Sequence, residues 1–444
     1  MPRVRATLGG MTTLRRMLPP LLLLSLAAPS AIAASDDADR LPRGAVGTRV
    51  ETPTLYDDDA GGNASGDDPA IWVHPSDSRR SIVIVTAKEG GLRVYDLRGR
   101  QVQKLAATPA PRPDGVPGRF NNVDIARGLM VGGKRTDVAV VSDRYNDQLR
   151  FFAINPAGAA ATRQLREVTA PGLPFVFQHT RAGVDTEKTA YGLAVWQPTG
   201  GPTYVALTQE GTTRIATVRL TSSPNGIGYT DSRHLPLPAS FPLPNGTTWS
   251  VCNEPGTRPQ LEGMAVDNAR NVLYAAQEDV GLWRIPLPLY SGQPKLIDKV
   301  TDFGITDRWD EESEECVPVD PDQPATYAGH LLTADAEGVA IAHAGAGGQI
   351  VVSSQGDDRF AVYNLTGANK PLGSFRIRGI DSADNVSGSD GLDVVTVPVA
   401  GYPRGLLVSH DEPDSGPGVD PERDPTNFSY VQWGAVVDAL ALPR

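Results

Sequence analysis

One pattern recurs six times along this chain and limits its fold more than any other feature. Each copy begins at an acidic or glycine-bearing start, runs into an apolar strand, turns into a second apolar strand, crosses a polar loop and ends in an alternating third strand. The copies are DDPAIWVHP…SIVIVTAKEGGLRVYDL, NNVDIARGLMVGGKRTDVAVVSDRYNDQLRFFAI, YGLAVWQPTGGPTYVALTQEGTTRIATVRL, LEGMAVDNARNVLYAAQEDVGLWRIPL, AEGVAIAHAGAGGQIVVSSQGDDRFAVYNL and DGLDVVTVPVAGYPRGLLVSHDE. β-Branched and aromatic runs alternate with Gly, Pro, Asn and Asp clusters, and helix-period patterns are nearly absent, so the fold class is all-β. Units of roughly 50 to 75 residues suit a six-bladed β-propeller with four-stranded blades. The last copy lacks a clear outer strand, so residues near Val50 or near Val431 are expected to complete a blade and close the ring.

Ahead of the repeats, Arg3, Arg5, Arg15 and Arg16 precede the apolar run MLPPLLLLSLAAP and the small-residue site Ala31-Ile32-Ala33. That order is the order of a secretory signal, cleaved after Ala33, with either Met1 or Met11 as its start. An uncleaved membrane anchor is the competing reading, disfavoured by the shortness of the run and by Pro19 and Pro20. The expected organisation is a signal over 1–33, a flexible mature N-terminus over 34–46 and a propeller over 47–444, secreted to the extracellular or periplasmic space. Losing four arginines with the signal moves the net charge from −11 to −15. So acidic a protein should avoid nucleic acid and anionic membranes, and a monomer is the default.

Cys252 and Cys316 are the only cysteines, and an oxidising compartment favours their pairing as one disulfide. The spacing from Cys252 to Arg258 also fits a C-x5-R phosphate loop, but Pro259 follows at once and no helical pattern continues. GLMVGGK, residues 128–134, imitates a G-x4-G-K loop without the Ser or Thr that should follow, and reads as a hairpin turn.

The adjacent Asp67 and Asp68 stand directly before an apolar strand, where two unpartnered carboxylates would be costly to bury. In a propeller, the starts of the innermost strands meet at one mouth of the central channel. Asp67, Asp68, Asp124, Glu262, Asp335, Glu337 and Asp390 are therefore expected to converge there. A second set closes the middle strands: Asp143, Glu278, Gln355 with Asp357, and Asp411 with Glu412. Oxygen ligands without paired histidines or thiolates suit Ca²⁺ rather than zinc or copper.

The motifs DDPAIW, NNVDI, YGLAVW, EGMAVD, LYAAQED, DAEGV, SSQG, GSDGLDV and NFSYVQW, in order over about residues 50–435, resemble those of the β-propeller phytases. These are secreted calcium-dependent phosphatases acting on inositol hexakisphosphate. The resemblance implies several calcium ions held by Asp67, Asp68, Asn122, the Val123 carbonyl, Glu262, Glu278, Asp335, Glu337, Gln355 and Asp390. It implies phosphate contacts from Lys88, Arg144 and Tyr191, and a small-molecule partner, phytate as its calcium complex. Glu262 and Glu337 are the expected calcium-bridging residues beside an attacking water, with no covalent phosphoenzyme. The chain departs from the pattern at Glu89, where many relatives carry a second lysine, and at Gln209 and Glu210, with Arg214 a substitute for another lysine. A lactonase- or phosphotriesterase-type calcium propeller is a competing reading, against which Lys88 and Arg144 argue. A non-catalytic calcium-binding propeller is the other, favoured by Glu89 and Gln209.

Overall fold

The computed structural model describes residues 41–113, 115–313 and 315–443, so the signal expected over 1–33 lies outside the described residues. Four separate four-stranded antiparallel sheets follow one another along the chain, each in the order of the sequence. They comprise Pro69–Trp72 to Gln101–Leu105, Phe120–Val131 to Leu165–Glu167, Ala190–Trp196 to Gly226–Pro236, and Leu261–Asp267 to Lys295–Lys299. Apart from two short two-stranded hairpins, the remaining strands form a nine-stranded sheet. Its halves are an antiparallel run from Ala336–Ala344 to Pro371–Gly379 and a run over Leu392–Val395, Leu406–Asp411 and Pro425–Gln432.

The strand Arg43–Glu51 joins these halves. It pairs in parallel with 374–379, from Arg43↔Ser374 to Thr48↔Gly379, and antiparallel with the last strand, Thr48↔Val431 and Val50↔Tyr430. Both segments expected to complete the ring thus do so together. The segment expected to be flexible over 34–46 is instead strand from Arg43 onward. Pairing on both sides satisfies its backbone groups, and Val46 enters the core between Phe375, Ile377 and Val431.

Burial follows strand position. The second and third strands of the first sheet, IVIVT and LRVYD, are buried throughout, whereas its outer strand QVQKL is largely not. Covered on both faces, the second strand is a continuous apolar run, whereas the third buries Arg93 and Asp96 among its apolar residues. Apolar clusters fill the spaces between successive sheets, as where Phe120 meets Phe152 edge-on at 6.0 Å. Indole donors tie neighbouring sheets: Trp72 Nε1 donates to Asp137 Oδ2 at 2.8 Å and Trp196 Nε1 to Asn271 Oδ1 at 2.9 Å.

The first strands lie against one another in chain order, and Leu392–Val395 returns to Pro69–Trp72. This all-β, propeller-like circuit encloses a cavity of about 270 Å³ lined by residues of these strands.

Candidate metal and phosphate site

In four of the first strands the ladder slips one step after the first pair, leaving Asn121-Asn122, Tyr191-Gly192, Glu262-Gly263 and Glu337-Gly338 as bulges. A bulge re-aims the side chains it carries and ends regular pairing. Here Asn121, Tyr191, Glu262 and Glu337 hold the first place of the bulged pair, where Asn121 and Glu337 meet Glu262, and Asn122 accepts from Asn121.

The glycines in and beside these bulges have a second role. A Cβ on Gly192 would stand 1.9 Å from the Glu262 carbonyl oxygen, and one on Gly263 2.3 Å from that of Glu337. On Gly338 it would stand 2.5 Å from the Asp390 carbonyl, and on Gly391 2.7 Å from that of Asp67. Gly338 and Gly391 also donate their N–H groups to those last two carbonyls, at 2.7 and 3.1 Å. Each glycine therefore lets the next acid's backbone approach, and the acids are spaced by main-chain contact.

Among the described residues, ligand oxygens of Glu262, Glu278 and Glu337 lie within 4.8 Å of one another. Asp67 Oδ2, Glu278 Oε1 and Glu337 Oε2 are buried without a hydrogen-bond partner. Burial first, and the neighbouring carboxylates next, push Glu278 and Glu337 well above the usual range and Glu262 to about 7. Burial also raises Asp67, with Glu262 and Asp390 adding repulsion. Gln355 Nε2 donates to Asp390 Oδ1 at 2.7 Å, Asn121 Nδ2 to Glu262 Oε1 at 2.7 Å and Gln260 Nε2 to Glu278 Oε2 at 3.0 Å. These neutral donors do not balance the charge. His410 Nδ1 lies 3.6 Å from Asp390 Oδ2, but burial lowers this histidine to about 4, so it is neutral at pH 7.

Asp335 belongs to the same field, raised by burial and by Asp390. Asp68 sits at its edge, where its Oδ2 accepts from the Val123 N–H at 3.0 Å and brings Asp68, Asn122 and Val123 together. Asp124 does not join the mouth. One residue further along its strand, it points into the channel and accepts from Val195 N at 2.7 Å and Ile125 N at 2.6 Å. Asp143 is likewise committed, to Asn146 Nδ2 at 2.9 Å and the Arg119 N–H at 3.3 Å.

Asp411 belongs to a different group, with Glu51 and Asp384, whose ligand oxygens also fall within 4.8 Å. Asp411 Oδ2 and Asp384 Oδ1 are buried and unpartnered. Burial raises Asp411 to about 9 and Glu51 to about 7, with Asp384 adding to both. Glu51 arrives on the joining strand and Asp384 on a loop, so no repeat position marks either.

Cationic side chains flank the first cluster. Lys88 occupies a left-handed turn position, φ 43°, and its charge favours the ionised forms of Asp67, Glu262 and Asp390. Arg144 is ion-paired with Glu210 and lies over the Tyr191 ring, 5.1 Å from its centre. The Tyr191 hydroxyl lies near enough to Glu262 to favour its ionised form. Glu89 is held by Asn63 Nδ2 at 3.3 Å, and Gln209 Nε2 donates to the Lys188 carbonyl at 2.8 Å. Arg214 is not brought to the cluster: it is exposed at the start of a third strand, with its charge against His234 of the outer strand.

Sequence reasoning missed Arg119, which is only 7% exposed and lies near Asp67 and Asp390. A usable signal existed. Aligned on the bulges, Arg119, Thr189, Gln260 and Asp335 share the position two residues ahead of the bulged pair, and Asp335 was identified there.

Cys252 and Cys316 form a disulfide. It links the segment after the hairpin Ser240–Pro242/Thr248–Ser250 to the hairpin Asp307–Asp310/Glu315–Pro318.

The fold and site together define an all-β, propeller-like protein with a carboxylate cluster able to hold cations and a cationic rim able to hold an anion. A family model described as Phytase matches residues 15–212 and 315–442, and the chain belongs to that family. It is 26% identical over 399 residues to a 3-phytase of Bacillus subtilis (strain 168), covering 88% of this chain and 85% of that protein. Among solved structures it is similar to a calcium-binding protein, regucalcin, from Agrobacterium tumefaciens str. C58. There the TM-score is 0.41 and the identity 11%, over 88% of this chain and 96% of that one, too low to bear on the site.

Proposed function

We propose that this protein is a secreted, calcium-dependent phytase that releases phosphate from myo-inositol hexakisphosphate by attack of water, without a covalent phosphoenzyme. In this reading the two halves of the nine-stranded sheet count as two blades, giving a six-bladed propeller. The observation that carries the proposal is the set of buried, unpartnered oxygens of Asp67, Glu278 and Glu337 beside Lys88 and Arg144. Hard oxygen donors with no thiolate, and with His410 beside Asp390 as the one histidine grouped with them among the described residues, suit calcium, and they include the main-chain and amide oxygens it accepts. Asp67, Asp68, Asn122, Val123, Glu262, Glu278, Asp335, Glu337, Gln355 and Asp390 would hold it, and Glu51, Asp384 and Asp411 would hold a further ion.

Bound calcium would neutralise these acids, polarise phosphate oxygens and make a water more acidic. The chain's own groups position the substrate. Arg144 offers a donor fork to phosphate oxygens, Lys88 a point charge, and Tyr191 a hydroxyl. A phosphate so held presents phosphorus to water in line with the leaving inositol oxygen, and the cations stabilise the equatorial charge that develops. Glu262 and Glu337 would hold calcium beside that water.

The Arg144–Glu210 pair favours a second reading, a calcium-binding propeller without catalysis, since Glu210 already occupies Nη2 of the guanidinium that phosphate would use. One experiment separates the two: phosphate release from calcium phytate at neutral pH, with and without excess chelator. Release abolished by chelator and restored by calcium is the expected result; none despite bound calcium would leave the second reading standing.

A further inference from the structure

Arg119 is a buried cation whose guanidinium has no hydrogen bond or ion pair among the described residues, and whose Nε is shut off from solvent. A charge so placed is destabilising unless something pairs with it. Its contacts are weak substitutes. The guanidinium lies 5.9 Å from the centre of the Tyr145 ring, and Glu89 is near enough to feel its charge but is engaged by Asn63. The backbone shows where it stands. Arg144 donates its N–H to the Arg119 carbonyl at 2.8 Å, so the two arginines leave the chain side by side. Their charges oppose each other, since Arg119 is the strongest charge disfavouring ionisation of Arg144. Its charge also reaches Asp67 and Asp390 of the carboxylate cluster, favouring their ionised forms.

Two guanidinium groups held together against repulsion, one with all its donors free, fit a tetrahedral oxyanion that can accept from both. We propose that Arg119 is a substrate-binding residue that grips the phosphate group jointly with Arg144. The assignment rests on the phytase reading for the identity of the substrate. It also gives the phosphate a foothold that needs no displacement of Glu210.

The test is titration of the calcium-loaded mature protein with inorganic phosphate, comparing wild type with Arg119→Met, which keeps most of the bulk, and Arg119→Lys, which keeps the charge and loses the fork. The expected result is a loss of phosphate affinity of about tenfold to a hundredfold in Arg119→Met, an intermediate loss in Arg119→Lys, and unchanged calcium-loaded melting temperatures. Wild-type affinity in the folded Met variant overturns the assignment. If the Met variant does not fold, the Lys variant is decisive: weakened binding at an unchanged melting temperature supports the role, and wild-type affinity removes it. Phosphate binding that depends on Arg119, in a protein that releases nothing from inositol hexakisphosphate, would defeat the phytase reading and leave Arg119 a phosphate ligand.

Discussion

Burying several carboxylates in one field fixes how pH acts on this fold when calcium is withheld. Glu262, at about 7, and Asp279, which follows Glu278 in the chain and is raised to about 7 by burial and by Asp335, hold protons in the native state that the unfolded chain has already released above its ordinary carboxylate range. Where the native state binds more protons, stability falls as pH rises. Calcium-free protein should therefore be most stable in mild acid and weaken from about pH 4 to 7, with Asp411, at about 9, extending the loss. Calorimetry of chelated protein from pH 5 to 8 should show a falling melting temperature, and added calcium should raise it most at pH 8. A flat profile would mean that these acids are not strained. Arg144→Ala should lower phosphate release about a hundredfold or more with little change in melting temperature. Unchanged turnover would take Arg144 out of the site. Glu262, Glu337, Asp67 and Asp390 were legible in the sequence because each adjoins an apolar strand, where an acid has no ordinary structural use. Arg119 and Asp384 were not, because a basic residue ahead of a strand and an acid in a loop look like any solvated surface.

At the scale of the strand, the bulge and its glycine do the positioning. Gly263→Ala drives a methyl against the Glu337 carbonyl, a main-chain atom that cannot rotate away. The expected outcome is a loss of about 1 to 3 kcal/mol in urea melts, with weaker calcium binding because Glu337 is pushed off its position. Gly347→Ala is the control: its nearest neighbour would be the Ala344 carbonyl at 3.7 Å, and it should change neither quantity. Equal effects in both variants would show that the close approach has no special weight. The repeats themselves were plain from their apolar periodicity. The bulges were hidden, since a single-step slip alters pairing without altering composition.

At the scale of the whole molecule, two devices bind distant parts of the chain: the joining strand Arg43–Glu51 and the disulfide across 64 residues. Replacing both cysteines by serine should cost about 2 to 4 kcal/mol in denaturant unfolding, from the freedom returned to the unfolded chain. Phosphate release should be unaffected, because the bridge ties a hairpin to the segment that follows another and neither cysteine belongs to the carboxylate cluster. A loss of activity at unchanged stability would instead implicate those hairpins in the substrate path. The sequence indicated that either end of the chain could complete the sheet. That one strand does so by pairing in parallel with one neighbour and antiparallel with another is a long-range arrangement that no local pattern records.

The succession of glycines from Gly192 to Gly391 works like a set of fixed shims. Because each acid is located by the peptide ahead of it rather than by its own packing, the bore of the mouth is independent of the tools mounted around it. Asp, Glu, Asn or Gln could be exchanged at the rim one at a time, retuning which ion and which ester it handles, while the gauge stays the same. A change at one shim would instead shift its neighbour, and the error would propagate around the circle.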